Sequence, residues 1–208
     1  MDGVLCDFET AAVVAVNRAL KSPPEGMEGL AAKVLEEMGT EPITKTDLAK
    51  YDPNGAKQRN AALTNFMYRL LEGDEEYWAT LPWMEGGQEL WAYIREFNPV
   101  ILTSPMDKGG KFESLAGKRR WIEKNLGFKD LGELDTDEGP KSILFAHNKY
   151  EFATDKEGNA RVLIDDFITK VDPFREAGGE GILHVGRRVG DTIEHLEGLR
   201  NELEERTA

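Results

Sequence analysis

Hydrophobic and polar positions change their rhythm along this chain near Trp83. Before it, apolar residues recur at helical spacing. Residues 10–20 (TAAVVAVNRAL) are small and apolar and predict a helix, which Pro23-Pro24-Glu25-Gly26 ends. Residues 27–39 repeat a helical pattern closed by Gly39. Glu41 to Gly55, broken by Pro42, Pro53 and Gly55, reads as loop with a short helix. Residues 56–71 predict a further helix with Leu63, Phe66, Met67 and Leu70 on one face. No strand is expected between residues 10 and 80, so this part reads as a helical insertion.

After Trp83 short apolar runs alternate with helical patterns. Gly86-Gly87 opens a helix carrying Leu90, Ile94 and Phe97 at core spacing, and Asn98-Pro99 stops it. Val100-Ile101-Leu102 is wholly apolar and ends in Thr103-Ser104-Pro105, as a buried strand feeding a polar loop does. A helix is predicted over 111–126, closed by Gly127. Ile143 to Ala146, Val162 to Ile164 (ending in Asp165-Asp166) and Ile182 to Val185 are further strands. Asp172-Pro173 predicts an N-cap and first-turn proline for a helix that ends at Gly178-Gly179. From Thr192 the tail reads as a helix with Ile193, Leu196, Leu199 and Leu203 inward. Strands alternating with helices predict an α/β fold, a parallel sheet with helices on both faces.

Composition narrows the function classes. The chain has 208 residues, 40% apolar and 31% charged, with a formal net charge of -13. That suits a globular domain with a sizeable core and argues against binding extended nucleic acid. A local cationic pocket or a metal can still attract a small anion. The single cysteine, Cys6, rules out an intrachain disulfide and points to a reducing compartment. There is no basic-then-apolar leader and no run of ~20 apolar residues, so a cytoplasmic protein without membrane contact is expected. The acidic stretch from Glu133 to Glu138 reads as a solvated loop.

In open parallel sheets ligands bind beyond the carboxyl ends of the strands. The polar residues expected there are Asp2, Thr103-Ser104 and Asp165-Asp166, with Lys149 just after a strand. Carboxylates with a substrate phosphate suit Mg²⁺, which prefers hard oxygen ligands and keeps several waters. Hydroxyl and lysine donors suit the equatorial oxygens of a phosphoryl group in transit. Taken singly, each element has a plainer explanation: a helix cap for the Asp pair, a turn for Thr-Ser-Pro, a surface lysine for Lys149. Their order along an alternating chain is what joins them.

These residues resemble the motifs of the haloacid dehalogenase-like phosphatases. MDGVLCDF resembles the first motif, Asp-x-Asp-Gly-Val-x-x-Asp-Phe; Ile101 to Ser104, Lys149 and Val162 to Asp166 resemble the second, third and fourth. The similarity is greatest to the 5′(3′)-deoxyribonucleotidase branch. It rests on Asp7-Phe8-Glu9, Tyr77-Trp78 before Gly86-Gly87, Lys118 to Ile122, Lys149 to Ala153 and Gly178 to His184.

The resemblance implies a Rossmann-like core over 1–9 and 82–208, with a small helical cap over 10–81 inserted after the first motif. It implies a Mg²⁺-dependent phosphomonoesterase that hydrolyses (deoxy)nucleoside monophosphates through an aspartyl-phosphate. Asp2 would be the general acid and base. Thr103, Ser104 and Lys149 would hold the phosphate, with Lys141 as runner-up for the lysine. Asp165 and Asp166, with the backbone carbonyl of Asp2, would hold the metal. Phe8 and Trp78 would face the base or sugar, against cap-core packing as the alternative; Tyr77 and Trp83 are expected in the core. No role falls to His147, His184 or His195, and Cys6 reads as a packed small residue. The sequence departs from the pattern at its start. Met1 holds the motif's variable position, so the nucleophilic Asp would stand just before it, and the first strand, which should lead into it, is absent, so little or no phosphatase activity is expected of the 208-residue chain itself. Two other readings remain: a phosphatase for a sugar phosphate or similar organophosphate, and a non-catalytic domain that binds Mg²⁺ or a nucleotide. A homodimer is left open.

Overall fold

The helices of the first part form because apolar side chains recur on one face. In the computed structural model, which describes residues 1–48, 60–106, 110–128 and 143–207, α1 (Phe8–Lys21) buries Ala12, Val16 and Ala19. α2 (Glu28–Met38) buries Ala31 and Val34, and α3 (Lys45–Leu48) buries Leu48. Asn17 fixes the chain before α3 by exchanging two hydrogen bonds with the backbone of Ile43, both 2.8 Å. α4 (Ala61–Leu71) starts where Asn60 accepts from the Leu63 N–H. It buries Leu63, Phe66, Met67 and Leu71. Leu71 rather than the expected Leu70 faces the core, because it continues the i, i+4 row of Leu63 and Met67. Part of the predicted 56–71 helix, like Lys141 and the 133–138 loop, lies outside the described residues. α5 (Glu75–Ala79) is capped by Asp74, which accepts from the Tyr77 N–H at 2.9 Å.

Phe8–Leu81 together with Met106–Ile122 form one compact unit. The sequence places 106–122 with the later residues instead, and side-chain packing explains the difference. Ser114, Lys118, Trp121 and Ile122 are all buried and share one face at i, i+4, i+7 and i+8 spacing. The Trp121 indole donates to the Leu81 carbonyl at 2.7 Å. Gly117 lets that face approach α5: a Cβ there would lie 2.4 Å from the Glu75 carbonyl oxygen.

The second unit comprises Met1–Asp7, Pro82–Pro105 and Glu123–Ala208. It is mixed α/β. α6 (Gly87–Ile94) buries Leu90. The helix then tightens to a 3₁₀ turn over Arg95–Phe97. That changes the angular step per residue and turns Phe97 outward, 53% exposed, against expectation. β1 (Ile101–Thr103) pairs in parallel with β2 (Ile143–Phe145), Ile101 opposite Ile143. α7 (Lys111–Leu126) lies between them in sequence. β3 (Val162–Asp165) pairs in parallel with β4 (Glu180–Leu183), Val162 opposite Glu180. α8 (Ile168–Glu176) joins β3 to β4 and α9 (Val189–Thr207) follows. The strands therefore form two parallel pairs rather than one sheet.

Two local corrections have clear causes. Pro173 lies inside α8, not at its start; the helix begins five residues earlier and keeps going because Val171 and Phe174 are buried on it. β4 starts at Glu180 because its N–H donates to the Arg161 carbonyl, which sets the register two residues ahead of the predicted run. Leu203 of α9 is exposed rather than inward. Among the described residues, no helix is long and apolar enough to cross a membrane.

Candidate active site

Asp2 enters on a tight turn. The Met1 carbonyl accepts from the N–H groups of Val4, Leu5 and Cys6 at 3.3, 2.8 and 3.2 Å, and Gly3 N–H donates to the Cys6 carbonyl at 2.9 Å. Gly3 has φ +73°, which favours glycine. A side chain there is also excluded by space, since a Cβ would lie 2.0 Å from an Asp166 carboxylate oxygen. The same turn that aims Asp2 thus brings the backbone onto Asp166. Cys6 is fully buried and donates to Asp2 Oδ1 at 3.3 Å, in keeping with a packed small residue.

Asp165 ends β3 and Asp166 follows it. Asp165 is buried, and the buried Lys149 donates to its Oδ2. Its other oxygen accepts from the Phe167 N–H at 2.9 Å. Lys149 sits on a 3₁₀ turn, Lys149–Phe152, shortly after β2, so this ion pair joins the C-terminal ends of the two strand pairs. Lys170, in α8, reinforces that join by donating to the His147 carbonyl at 2.8 Å. Asp166 is pushed up to about 7 by burial first, then by the negative charges of Asp165 and Asp2. The Met1 amino group is held below its usual range by burial and then by the neighbouring Lys149 ammonium.

Residues far apart in sequence thus meet: Asp2, Lys149, Asp165 and Asp166. Thr103 and Ser104 end β1. Thr103 is buried, its carbonyl accepts from Ala146 N–H at 3.0 Å, and Ser104 Oγ donates to the Ala146 carbonyl at 2.9 Å. Phe8 and Trp78 belong to the helical unit. Their rings stack at 5.4 Å and 14°, and Lys118 Nζ lies 5.0 Å from the Trp78 ring. Trp78 is only 4% exposed, so it packs in that unit's interior, whereas Phe8 is half-buried.

Neither a known protein family nor any curated protein matches this chain.

Among the described residues no three His, Cys, Asp or Glu side chains are grouped closely enough to hold a metal alone. A Mg²⁺ site of the expected kind needs fewer: one or two carboxylates, a backbone carbonyl, waters and a substrate oxygen. The donor chemistry fits. Burial and the negative charges of Asp165 and Asp2 press Asp166 to stay protonated, and a divalent cation would relieve that pressure.

Three residues escaped the sequence reading. Lys118 is 1% exposed over Trp78; the sequence marks it as the head of the Lys118 to Ile122 stretch but gives no sign of its burial. Gly3 matters through its contact with Asp166, visible in sequence only as the glycine of the first motif. His184 is buried, with Nδ1 2.9 Å from Thr192 Oγ1 and Nε2 without a partner among the described residues, and burial lowers its pKa.

Proposed function

We propose that this chain carries the phosphate and metal site of a Mg²⁺-dependent phosphomonoesterase of the haloacid dehalogenase-like kind, acting on (deoxy)nucleoside monophosphates, with activity impaired in the 208-residue chain itself because it lacks the nucleophile. The observation that carries this is the meeting of Asp2, Lys149, Asp165 and Asp166 at the C-terminal ends of parallel strands, where open α/β folds bind ligands.

In this mechanism Lys149 and the hydroxyls of Thr103 and Ser104 bind the phosphate oxygens and orient phosphorus. Lys149 is held ready by Asp165. A carboxylate immediately before Met1, which the resemblance implies, would attack phosphorus in line and form the aspartyl-phosphate. Asp2 gives its proton to the leaving ester oxygen, then takes one from the water that hydrolyses the acyl phosphate. Cys6 and the Gly3 turn fix its carboxylate. Asp165, Asp166 and the Asp2 carbonyl would hold Mg²⁺, which supplies charge neutralisation for the transferring phosphoryl group. The fold proposed for the core is a Rossmann-like sheet.

Substrate class is tested by phosphate release. The chain carrying an Asp codon and an apolar strand ahead of Met1 is assayed with Mg²⁺ against nucleoside monophosphates and sugar phosphates. Faster release from the nucleotides is expected. Release confined to sugar phosphates would move the assignment to the other substrate class, and release from neither would leave a binding domain.

A further inference from the structure

A cavity of about 200 Å³ opens in the α/β unit beside the end of β4. It is lined by none of the residues placed in the candidate active site. Its polar lining comes from three elements: Arg175 of α8, Arg188 of the 3₁₀ turn Gly186–Arg188, and Asp191, Thr192 and His195 of α9. The strand itself sets Arg175 in place. Gly181 lets α8 come close, since a Cβ there would lie 2.9 Å from Val171 Cγ1. Arg175 Nε then donates to the Gly181 carbonyl at 2.9 Å and Nη1 to Asp172 at 3.2 Å. Its other terminal nitrogen makes no hydrogen bond among the described residues. Arg188 Nη1 lies 3.4 Å from Asp191 in an exposed pair, which is worth little and is readily exchanged.

Thr192 is the buried donor of the set, 2% exposed. Its Oγ1 lies 2.9 Å from Nδ1 of the buried His184, whose Nε2 has no partner among the described residues. A neutral imidazole carries one ring hydrogen. On Nε2 that hydrogen would be an orphaned buried donor; on Nδ1 it leaves only a lone pair unsatisfied, the lesser cost. Nδ1 therefore donates to Thr192, and the Thr192 hydroxyl hydrogen must turn elsewhere. Thr64 and Thr80 donate theirs to the carbonyl four residues back, at 2.8 and 2.7 Å. Thr192 makes no such bond among the described residues. Since Thr192 lines the cavity, its hydroxyl hydrogen is free to serve a ligand there. The first-turn N–H groups of α9 also lack intrahelical acceptors and carry the positive end of the helix dipole.

We propose that this cavity binds a phosphate group, as inorganic phosphate or as the end of a small phosphate ester. The Arg175 and Arg188 guanidinium groups give charge-assisted hydrogen bonds to its oxygens, and the Thr192 hydroxyl donates to another. The start of α9 favours the same charge. His195 closes the rim and offers a ring N–H. Asp191 is the one carboxylate on the lining; the ligand replaces it as the partner of Arg188. Ile182 and Leu183 border the cavity and give a small substituent on the phosphate an apolar surface. The site shares no residue with the proposed hydrolytic one and holds whether or not the chain hydrolyses phosphate esters.

The test follows the 208-residue chain by NMR, without Mg²⁺, at constant pH and ionic strength. Inorganic phosphate is added in one titration and glycerol 3-phosphate in another. Saturable shifts are expected at the amides of 188–192 and at the His195 ring, and the compound that saturates them at lower concentration identifies the source. Phosphate held by Lys149 and Thr103 would move their own amides instead, so the two sites are read separately. Arg188 is exposed, so Arg188→Gln keeps the fold; it is expected to weaken binding at 188–192 about tenfold or more. Thr192→Val is expected to do the same, whereas Thr192→Ser, which keeps the hydroxyl, should bind as the parent chain does. Should Thr192→Val fail to fold, the Arg188→Gln comparison decides. Shifts at 188–192 that never saturate, or that sodium chloride reproduces, overturn the proposal. So does unchanged affinity in Arg188→Gln.

Discussion

The Asp166 carboxylate fills the space a side chain at Gly3 would need, and both residues make residue-scale predictions. An aspartate ordinarily titrates near 3.8, and burial pushes Asp166 up to about 7 in the folded protein. The folded state therefore holds a proton that the unfolded state has lost between those values, and this group's contribution to stability falls as pH rises through that window. On the proposed function, Mg²⁺ displaces the same proton. Its stabilising effect, read as the rise in melting temperature, is expected to be larger at pH 8 than at pH 6; an equal rise at both would remove Asp166 from the metal site. Gly3→Ala is expected to cost about 1–3 kcal/mol in urea unfolding, from the left-handed backbone and the clash with Asp166 together. At this scale the sequence was most informative where chemistry is local. An acidic pair directly after Val162-Leu163-Ile164 has only one place to go, the end of a strand. The role of Gly3 and the burial of Lys118 depend on partners 163 and 40 positions away, Asp166 and Trp78, and no local pattern encodes such pairs.

Elements are joined by the buried Lys149–Asp165 pair, which ties the turn after β2 to the end of β3. Lys149→Met leaves the Asp165 carboxylate buried without its cation and is expected to cost about 3–5 kcal/mol. Lys149→Met with Asp165→Leu should recover most of that loss, since a packed apolar pair often matches a buried ion pair, yet remain inactive. A double variant as unstable as the single one would show that the ion pair is not what links these elements. Trp78 offers the corresponding test in the helical unit. Its burial between Phe8 and Lys118 predicts a loss of about 3–5 kcal/mol for Trp78→Ala by urea unfolding; a change in substrate affinity without loss of stability would place it in recognition instead. Helix positions were legible because hydrophobic spacing sets them, as α7 shows over Lys111–Leu126. Which unit α7 packs in was not, because Trp121 chooses the Leu81 carbonyl through tertiary contact alone. Phe97 was misjudged for the same kind of reason: a single 3₁₀ turn rotated it away.

On the scale of the whole molecule, a chain with net charge -13 gathers three carboxylates and one lysine in one spot, and charge alone gives it no attraction for a phosphate. On the proposed function, Lys149 and a bound cation supply that attraction locally. The alternation of strands and helices foretold an α/β unit with parallel pairing. It could not foretell which strands pair, β1 with β2 and β3 with β4, since strand neighbours in a parallel sheet are set by crossovers and not by sequence order. The central claim is that Asp2 works beside a nucleophilic carboxylate placed just before Met1. It is tested most directly by Mg²⁺-dependent phosphate release from a nucleoside monophosphate, comparing Asp with Asn at that added position behind the same apolar strand, and Asp2→Asn in the Asp chain. Release is expected from the Asp chain alone, lower by at least about 10²-fold in both Asn forms. Equal release from all three, or from the 208-residue chain itself, would contradict it.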